Sequence, residues 1–415
     1  MIRRLWGKYR AQIGDSVWSI AGLVLMNALA QIVLYPILAS RLGTHDYGDL
    51  QYLMAYVNIV TVSVGCAANM GRMTQPDKQR AENNGDYHLL LLAVSALGVP
   101  FVLLVRCFGG VTMDVPTTVC YYLLFVAMAF RYYADVSYKL TLRYRRYFLY
   151  YLCIGVGYVI GTVLFWHTGL WPLGILVGEA FGVLYAYLGD STLRRRFLRP
   201  SAAFGGVTKV LLLLCLSEGV SNLILNADRL ILKFMLGASA VTVYYLATLV
   251  GKTMSLLTLP LNGVLLGHLA RYKGGFGKRA MKWLTLGSLA SVVLFTGACV
   301  FGGWLMLLWL YPAEYDAVLP FLWVGGLAQV LYFTTSTLCV ILLRFAHKRY
   351  QLYVNGTFAL FFFGAGIPAT YLFGLWGFAL ATVGANLMRW GIAIFLGWYA
   401  VGKSGICSEK QCELE

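Results

Sequence analysis

The sequence predicts an all-α polytopic membrane protein of about twelve transmembrane helices in two six-helix halves. Two observations predict it. Apolar stretches near the length of a bilayer span alternate with short loops throughout the 415 residues. Most of the 33 Lys and Arg residues fall on every second loop, and basic loops stay in the cytoplasm. We therefore expect both termini in the cytoplasm and an even number of spans.

The individual spans follow from length, because a helix needs about 20 apolar residues to cross the hydrocarbon core. Stretches that meet this requirement lie at roughly 16–40, 50–71, 88–108, 117–138, 147–166, 170–189, 208–234, 240–266, 283–310, 318–342, 351–373 and 375–400. The first is too long for the apolar region of a signal peptide. The 28 Tyr and 11 Trp residues are typical of aromatic belts at the two membrane interfaces.

Composition excludes several function classes. Hydrophobic residues make up 60% and charged residues 12% of the chain, with a mean hydropathy of +0.71, which a soluble domain of this size would not have. The net charge of +16 is explained by topology and contact with anionic membrane lipid, so no nucleic-acid partner is expected. Nine Cys and five His show no metal-ligand spacing, and we predict no metal and no cofactor.

Internal similarity indicates two halves: 1–190 and 208–400, joined by a basic cytoplasmic linker at 191–207 and followed by a cytoplasmic tail at 401–415. Leu42-Gly43 after span 1 resembles Leu236-Gly237 after span 7. Six spans per half give both halves the same orientation, which is a parallel repeat. In span 6, Gly174, Gly178 and Gly182 form a repeated small-xxx-small motif that permits close helix packing.

Polar residues inside spans are costly and usually face a cavity. Span 7 holds a row of them at helical spacing, with flanking Ser217, Ser221 and Asp228: Glu218, Asn222, Asn226, Arg229 and Lys233. The row covers an arc of about 80° and is over about 20 Å long. We interpret it as the wall of a central aqueous cavity, the alternative being a helix held to its neighbours by polar contacts.

Other spans contribute further polar faces. These residues are Lys252 on span 8, Asn386 and Arg389 on span 12, and Asn27 and Gln31 on span 1. Cations outnumber acids on the faces of the second half, so the cavity suits an anionic ligand such as a phosphate. Arg131 and Asp135 on span 4 are predicted to form a structural i,i+4 ion pair. Glu179 on span 6 either carries a proton or pairs with an arginine elsewhere.

Two motifs give a resemblance to a known family. The stretch after span 1, Ser40-Arg41-Leu42-Gly43-Thr44-His45-Asp46-Tyr47-Gly48, resembles the LG-x-x-x-YG signature of bacterial polysaccharide-transport flippases. The stretch Asn226-Ala227-Asp228-Arg229, followed by Leu236-Gly237 and Tyr244, is similar to the pattern of that family at spans 7 and 8. The family belongs to the multidrug/oligosaccharidyl-lipid/polysaccharide (MOP) exporter superfamily, whose fold is MATE-like, and the resemblance covers nearly the whole chain.

The resemblance implies a flippase in the bacterial cytoplasmic (inner) membrane. It would move polyprenyl-diphosphate-linked oligosaccharide repeat units of O-antigen lipopolysaccharide, capsule or exopolysaccharide to the periplasmic leaflet. Transport would proceed by alternating access and use an ion gradient, with Glu218, Asp228 or Glu179 as candidate coupling residues. Partners would include a polysaccharide polymerase and other assembly proteins.

Two alternatives remain at this point. A cation-coupled exporter of drugs or other small molecules from the same superfamily would share the fold, but such exporters favour anionic cavities. An integral membrane glycan polymerase would need a large extramembrane loop, and the loops of this chain are short. No Walker A motif is present, so ATP hydrolysis by that route is not expected.

Overall fold

The computed structural model describes residues 18, 20–76, 82–271, 277–345 and 349–407. Residues 1–17 and 408–415, which include the basic N-terminus and the end of the predicted tail, lie outside them. The described residues form helices joined by short turns. The predicted all-α architecture is therefore confirmed.

Eight helices follow one another up to residue 236. They are α1 (Ile20–Met73), α2 (Asn84–Phe108), α3 (Val115–Ala134), α4 (Val136–Thr141), α5 (Tyr144–Thr168), α6 (Trp171–Gly189), α7 (Ser191–Arg194) and α8 (Phe204–Leu236). Five more complete the described chain. They are α9 (Ala238–Arg271), α10 (Lys278–Leu310), α11 (Tyr315–Val318), α12 (Leu322–Phe345) and α13 (Arg349–Cys407).

Among the described residues, nine helical stretches are long and apolar enough to cross a membrane. Two of them, of 54 and 53 residues, are double-length because α1 continues through Gly43 and α13 through Gly374, each with non-helical backbone angles. Both breaks fall in loops predicted from the sequence. Helix α9, with 34 residues, covers the predicted span 240–266, so the described helices account for the predicted order of spans.

The two Leu-Gly motifs mark helix breaks of the same kind. Gly43 has φ 76° and Gly237, between α8 and α9, has φ 92°. Residues with a Cβ rarely adopt positive φ, whereas glycine does so at little cost. The glycine of each motif therefore lets the chain leave one span and enter the next.

Close packing in the first part of the chain depends on the glycines of α6. A methyl group at Gly157 on α5 would lie 2.7 Å from the Cα atom of Gly178, and one at Gly161 would lie 2.7 Å from the carbonyl oxygen of Leu173. The small-xxx-small motif thus brings α5 and α6 into backbone contact, as predicted.

Tyrosines occupy the interior as well as the surface, which the expectation of interfacial belts missed. Tyr52, Tyr121 and Tyr150 are fully buried. The hydroxyl of Tyr121 donates to the carbonyl of Leu53 at 2.8 Å, and that of Tyr150 donates to the carbonyl of Arg131 at 2.9 Å. A buried tyrosine is stable when its hydroxyl is bonded in this way, so Tyr121 and Tyr150 join helices in the core.

The chain divides into two compact units, Met1–Leu230 and Ile231–Glu415. The boundary lies inside α8, not in the linker 191–207 that separates the predicted halves. Within the first unit, Asn222 on α8 donates to the hydroxyl of Ser63 on α1 at 3.1 Å.

Candidate functional site

The polar row of span 7 lies on one continuous helix, α8. Glu218, Asn222, Arg229 and Lys233 are half-buried, whereas Asn226 is 8% exposed. The amides of Asn222 and Asn226 donate to backbone carbonyls one turn earlier, at 2.9 and 2.8 Å. These bonds satisfy the amide donors within the helix while leaving the larger charged groups partly accessible.

The residues beside that row have two different environments. Ser217 and Ser221 are exposed. Asp228 is 8% exposed, and one of its carboxylate oxygens accepts from the backbone N–H of Arg229 at 2.9 Å. Asp228, a predicted coupling residue, therefore lies in the packed interior of the first unit.

In the second unit, Lys252 on α9 is half-buried, and its Nζ atom lies 5.8 Å from the centre of the Tyr245 ring. That distance is within the range of a cation–π interaction. About three helical turns further along α9, Asn262 accepts a hydrogen bond from the hydroxyl of Thr337 on α12 at 2.9 Å.

Arg389 on α13 occupies a different environment from the predicted cavity wall. It is 5% exposed, and its guanidinium donates to Asn355 Oδ1 at 3.0 and 3.3 Å and to the carbonyl of Tyr332 at 3.1 Å. It also lies 4.4 Å from the centre of the Tyr332 ring. These contacts join α12 and α13, which explains the burial of this arginine in the helix bundle.

Asn386, one turn before Arg389, is also buried at 3% exposure, and its amide donates to the carbonyl of Thr382 at 3.0 Å. On α1, the amide of Asn27 donates to the carbonyl of Leu23 at 2.8 Å. Gln31 lies in a π-helical turn, Ala30–Leu34, and its Oε1 atom has no hydrogen-bond partner among the described residues.

The ion pair predicted between Arg131 and Asp135 is wrong, because each residue has a different partner. Arg131 Nε lies 2.8 Å from Glu179 Oε2, with both side chains almost fully buried. Glu179 also accepts from the hydroxyl of Tyr158 at 2.6 Å. Asp135 instead pairs with Lys139 at 3.0 Å. Glu179 was expected either to carry a proton or to pair with an arginine elsewhere. The structure shows the pair with an arginine.

Asp135 is the centre of a second polar cluster in the first unit. Besides Lys139, it accepts hydrogen bonds from the amide of Asn69 and from the hydroxyl of Tyr147, the latter at 2.8 Å. These contacts join α1, the turn before α4, and α5. The cluster connects helix ends, and the carboxylate of Asp135 is neutralised by Lys139.

One set of possible metal ligands occurs within the described ranges, at His45, Asp46 and Asp49. His45 Nδ1 lies 3.1 Å from Asp46 and 3.8 Å from Asp49, and the side chains of His45 and Asp46 are 67% and 65% exposed. Such spacing is typical of surface ion pairs on a helix. We assign it no metal.

The sequence analysis did not predict a set of hydrogen bonds that connects the start of α2 to the basic linker. The amide of Asn84, at the start of α2, donates to the carbonyls of Leu193 and Arg195 at 2.9 and 2.6 Å. Asp86 accepts from the backbone N–H and the hydroxyl of Ser201 at 2.7 and 2.6 Å. Both side chains are fully buried. The only sequence signal was the polar run Asn83-Asn84-Gly85-Asp86 before an apolar span.

The second unit also contains a cavity of about 610 Å³ between α9, α10 and α12. Its wall combines aromatic and aliphatic side chains with small hydroxyl and amide groups, among them Asn262, Ser288, Phe295, Phe333 and Thr334. In the part of the chain that the structure describes, none of the lining residues is charged. This cavity is therefore chemically distinct from the charged face of α8.

No family model matches the chain, and no curated protein matches it in sequence. Solved structures nevertheless share its fold. The lipid II flippase MurJ, in an inward closed conformation, is 12% identical with a TM-score of 0.66, over 93% of this chain and 86% of that protein. An inward-facing multidrug resistance MATE family transporter of the MOP superfamily is 15% identical with a TM-score of 0.68, over 94% and 99%.

The Vibrio cholerae MATE transporter VcmN, in its bent form, is 13% identical with a TM-score of 0.57, over 96% of this chain and 99% of that protein. At these identities the likeness shows the fold alone. The predicted MATE-like fold is confirmed.

Proposed function

We propose that this protein is a flippase for polyprenyl-diphosphate-linked oligosaccharide repeat units, acting from the cytoplasmic to the periplasmic leaflet of the bacterial inner membrane. Its fold is shared with a lipid II flippase and extends over nearly the whole chain. The resemblance at Leu42-Gly43 and Leu236-Gly237 narrows the ligand to the repeat units of O-antigen, capsule or exopolysaccharide. A polysaccharide polymerase is the expected partner on the periplasmic side.

The observation that carries the proposal is the charged face of α8. Arg229 and Lys233 lie one turn apart on a helix with the length and apolarity of a membrane span, and both are half-buried. A diphosphate is a good ligand for such groups, because arginine can bind it with two hydrogen bonds and lysine binds it as a point charge. We assign the same role to the half-buried Lys252.

The buried charges receive other roles in this proposal. Arg131, Glu179 and Arg389 are held by protein partners, so we assign them to helix packing and not to ligand binding. Glu218 and Asp228 remain the candidate residues for coupling to an ion gradient. The half-buried Asn222, whose amide bonds within α8, would present its oxygen atom to the sugar. Asn226, also bonded within α8 and buried, would support it from the next turn.

A second function, export of small amphipathic molecules, has the support of the likeness to MATE transporters. The two functions differ in the charge they require of the ligand. A cationic drug would be attracted to Glu218 and Asp228 and repelled by Arg229, Lys233 and Lys252. Since these three cations outnumber the two acids, the charge balance favours the flippase.

A strain that lacks this protein separates the two functions. We expect its surface polysaccharide to fall to the level of a strain without glycan synthesis, while its sensitivity to a panel of cationic drugs stays unchanged. Normal surface polysaccharide with increased drug sensitivity would establish the exporter instead. Polysaccharide of altered chain length, present in normal amount, would indicate a polymerase.

A further inference from the structure

The cavity between α9, α10 and α12 is elongated along the helices. Its lining on α10 extends from Trp283 to Phe295, which is about 18 Å of helix. The volume of the cavity is about 610 Å³. The cavity is therefore an elongated groove that can hold an extended hydrocarbon chain.

The chemistry of the groove changes along its length. Towards the end of the groove at Trp283, the hydroxyl of Thr337 donates to Asn262 at 2.9 Å. This part of the wall is therefore polar. Towards the other end, the groove is lined by Met254, Phe295 and Phe333. An amphipathic chain would enter with its polar end near Trp283 and its apolar end at the phenylalanines.

The entrance lies beside a basic surface. Lys278, Arg279 and Lys282 are exposed, and Arg279 lies one helical turn before Trp283, which is 66% exposed. Basic residues next to a membrane span attract anionic headgroups. The start of α10 also follows a loop that is predicted to be cytoplasmic, so an anionic lipid of the cytoplasmic leaflet would meet the entrance directly.

The inner end holds an unusual hydroxyl. Thr334 is 7% exposed and lines the groove, and its Oγ1 atom finds no hydrogen-bond partner in the described part of the chain. A buried hydroxyl without a partner is unfavourable. The π electrons of a carbon–carbon double bond can accept a weak hydrogen bond, which a saturated acyl chain cannot do.

We infer that this groove binds the isoprenoid chain of a polyprenyl-phosphate lipid, with the phosphate at the basic start of α10. The inference deepens the proposed function, on which it rests, by giving a place to the tail of the substrate. It predicts a bound state that precedes the contact of the diphosphate with the charged face of α8.

Photolabelling tests the inference on the purified full-length protein in nanodiscs, with a polyprenyl phosphate that carries a diazirine in its chain. We expect labelled peptides from α10 and α12 between Trp283 and Ile341. Excess unlabelled polyprenyl phosphate should remove the labelling, and phosphatidylglycerol should not. Labelling outside the groove, or equal competition by phosphatidylglycerol, would overturn the inference, the latter by indicating a general acyl-chain site.

A pair of substitutions on α10 controls for folding. Gly287 lines the groove, and an added Cβ would meet no atom within 4 Å, so Gly287→Leu should fold and occupy the space of the chain. We expect it to lower labelling about tenfold, which corresponds to about 1.4 kcal/mol. Ala290→Leu, on the exposed side of the same helix, should leave labelling unchanged. Equal labelling of both variants would contradict the assignment.

Failure of this inference can be told apart from failure of the proposed function. Labelling requires binding but no transport, and it is measured on the isolated protein. If the groove is labelled as expected but loss of the protein leaves surface polysaccharide intact, the lipid site is supported and the flippase function is rejected. If loss of the protein abolishes surface polysaccharide but the groove is not labelled, the flippase function is supported and this lipid site is rejected.

Discussion

Arg229→Ala is expected to reduce surface polysaccharide at least about tenfold at an unchanged level of the protein. The reason is that a hydrogen bond to a charged group contributes about 1.5–3 kcal/mol, and the proposal places Arg229 at the diphosphate. Lys252→Ala should have an effect of the same direction. The measurement is the amount of surface glycan in a strain that lacks the native protein and expresses the variant.

Two matched variants make the result specific. Arg229→Lys keeps the positive charge but loses the bidentate hydrogen bonding of arginine. This variant should retain part of the activity. Lys209→Ala removes an exposed cation near the start of the same helix and should have no effect. Full activity in both Arg229→Ala and Lys252→Ala would remove these residues from ligand binding.

Glu179→Leu is expected to destabilise the protein strongly, by about 3–5 kcal/mol. Glu179 and Arg131 form a pair at 2.8 Å with side-chain exposures of 2% and 9%. Removing the carboxylate leaves the arginine charge buried without an ionic partner. The midpoint of thermal unfolding of the purified protein in detergent should fall accordingly.

The double variant Glu179→Leu with Arg131→Leu separates a structural role from a role in ion coupling. Replacing both members of a buried pair by apolar residues is often neutral, so the double variant should recover most of the lost thermal stability. Asp316→Leu, at an exposed acid, serves as the control. A stable Glu179→Leu protein that has lost transport would instead identify Glu179 as a coupling residue.

The helices were predictable from the sequence because their cause is local. A span requires only a run of apolar residues of sufficient length, and this property identified the two double-length helices as two spans each. The repeated Leu-Gly motif in the sequence coincides with the helix breaks at Gly43 and Gly237. Both glycines adopt positive φ in the structure.

The polar contacts between helices could not be predicted from the sequence. The spacing of Arg131 and Asp135 suggested a pair, yet the partner of Arg131 lies 48 residues away on α6. Similarly, Asn84 bonds to carbonyls 109 and 111 residues further along the chain. Such contacts depend on which helices pack together, and hydropathy does not specify that.

The helical faces gave the direction of side chains but not their accessibility. Arg389 and Asn386 follow the same periodicity as the row on α8, yet they are 5% and 3% exposed. Arg389 is surrounded by Tyr332, Ser336 and Asn355 from two neighbouring segments. A cationic residue in a span can therefore be a packing element, and only the half-buried cations remain candidates for the ligand.

The most direct test of the flippase is the lipid content of a strain that lacks this protein. We predict that polyprenyl-diphosphate oligosaccharide, carrying a complete repeat unit, accumulates on the cytoplasmic side, as detected by mass spectrometry of extracted lipids. The intact gene should reverse the accumulation and Arg229→Ala should not. Absence of accumulation, together with normal surface polysaccharide, would contradict the account and favour the exporter of small molecules.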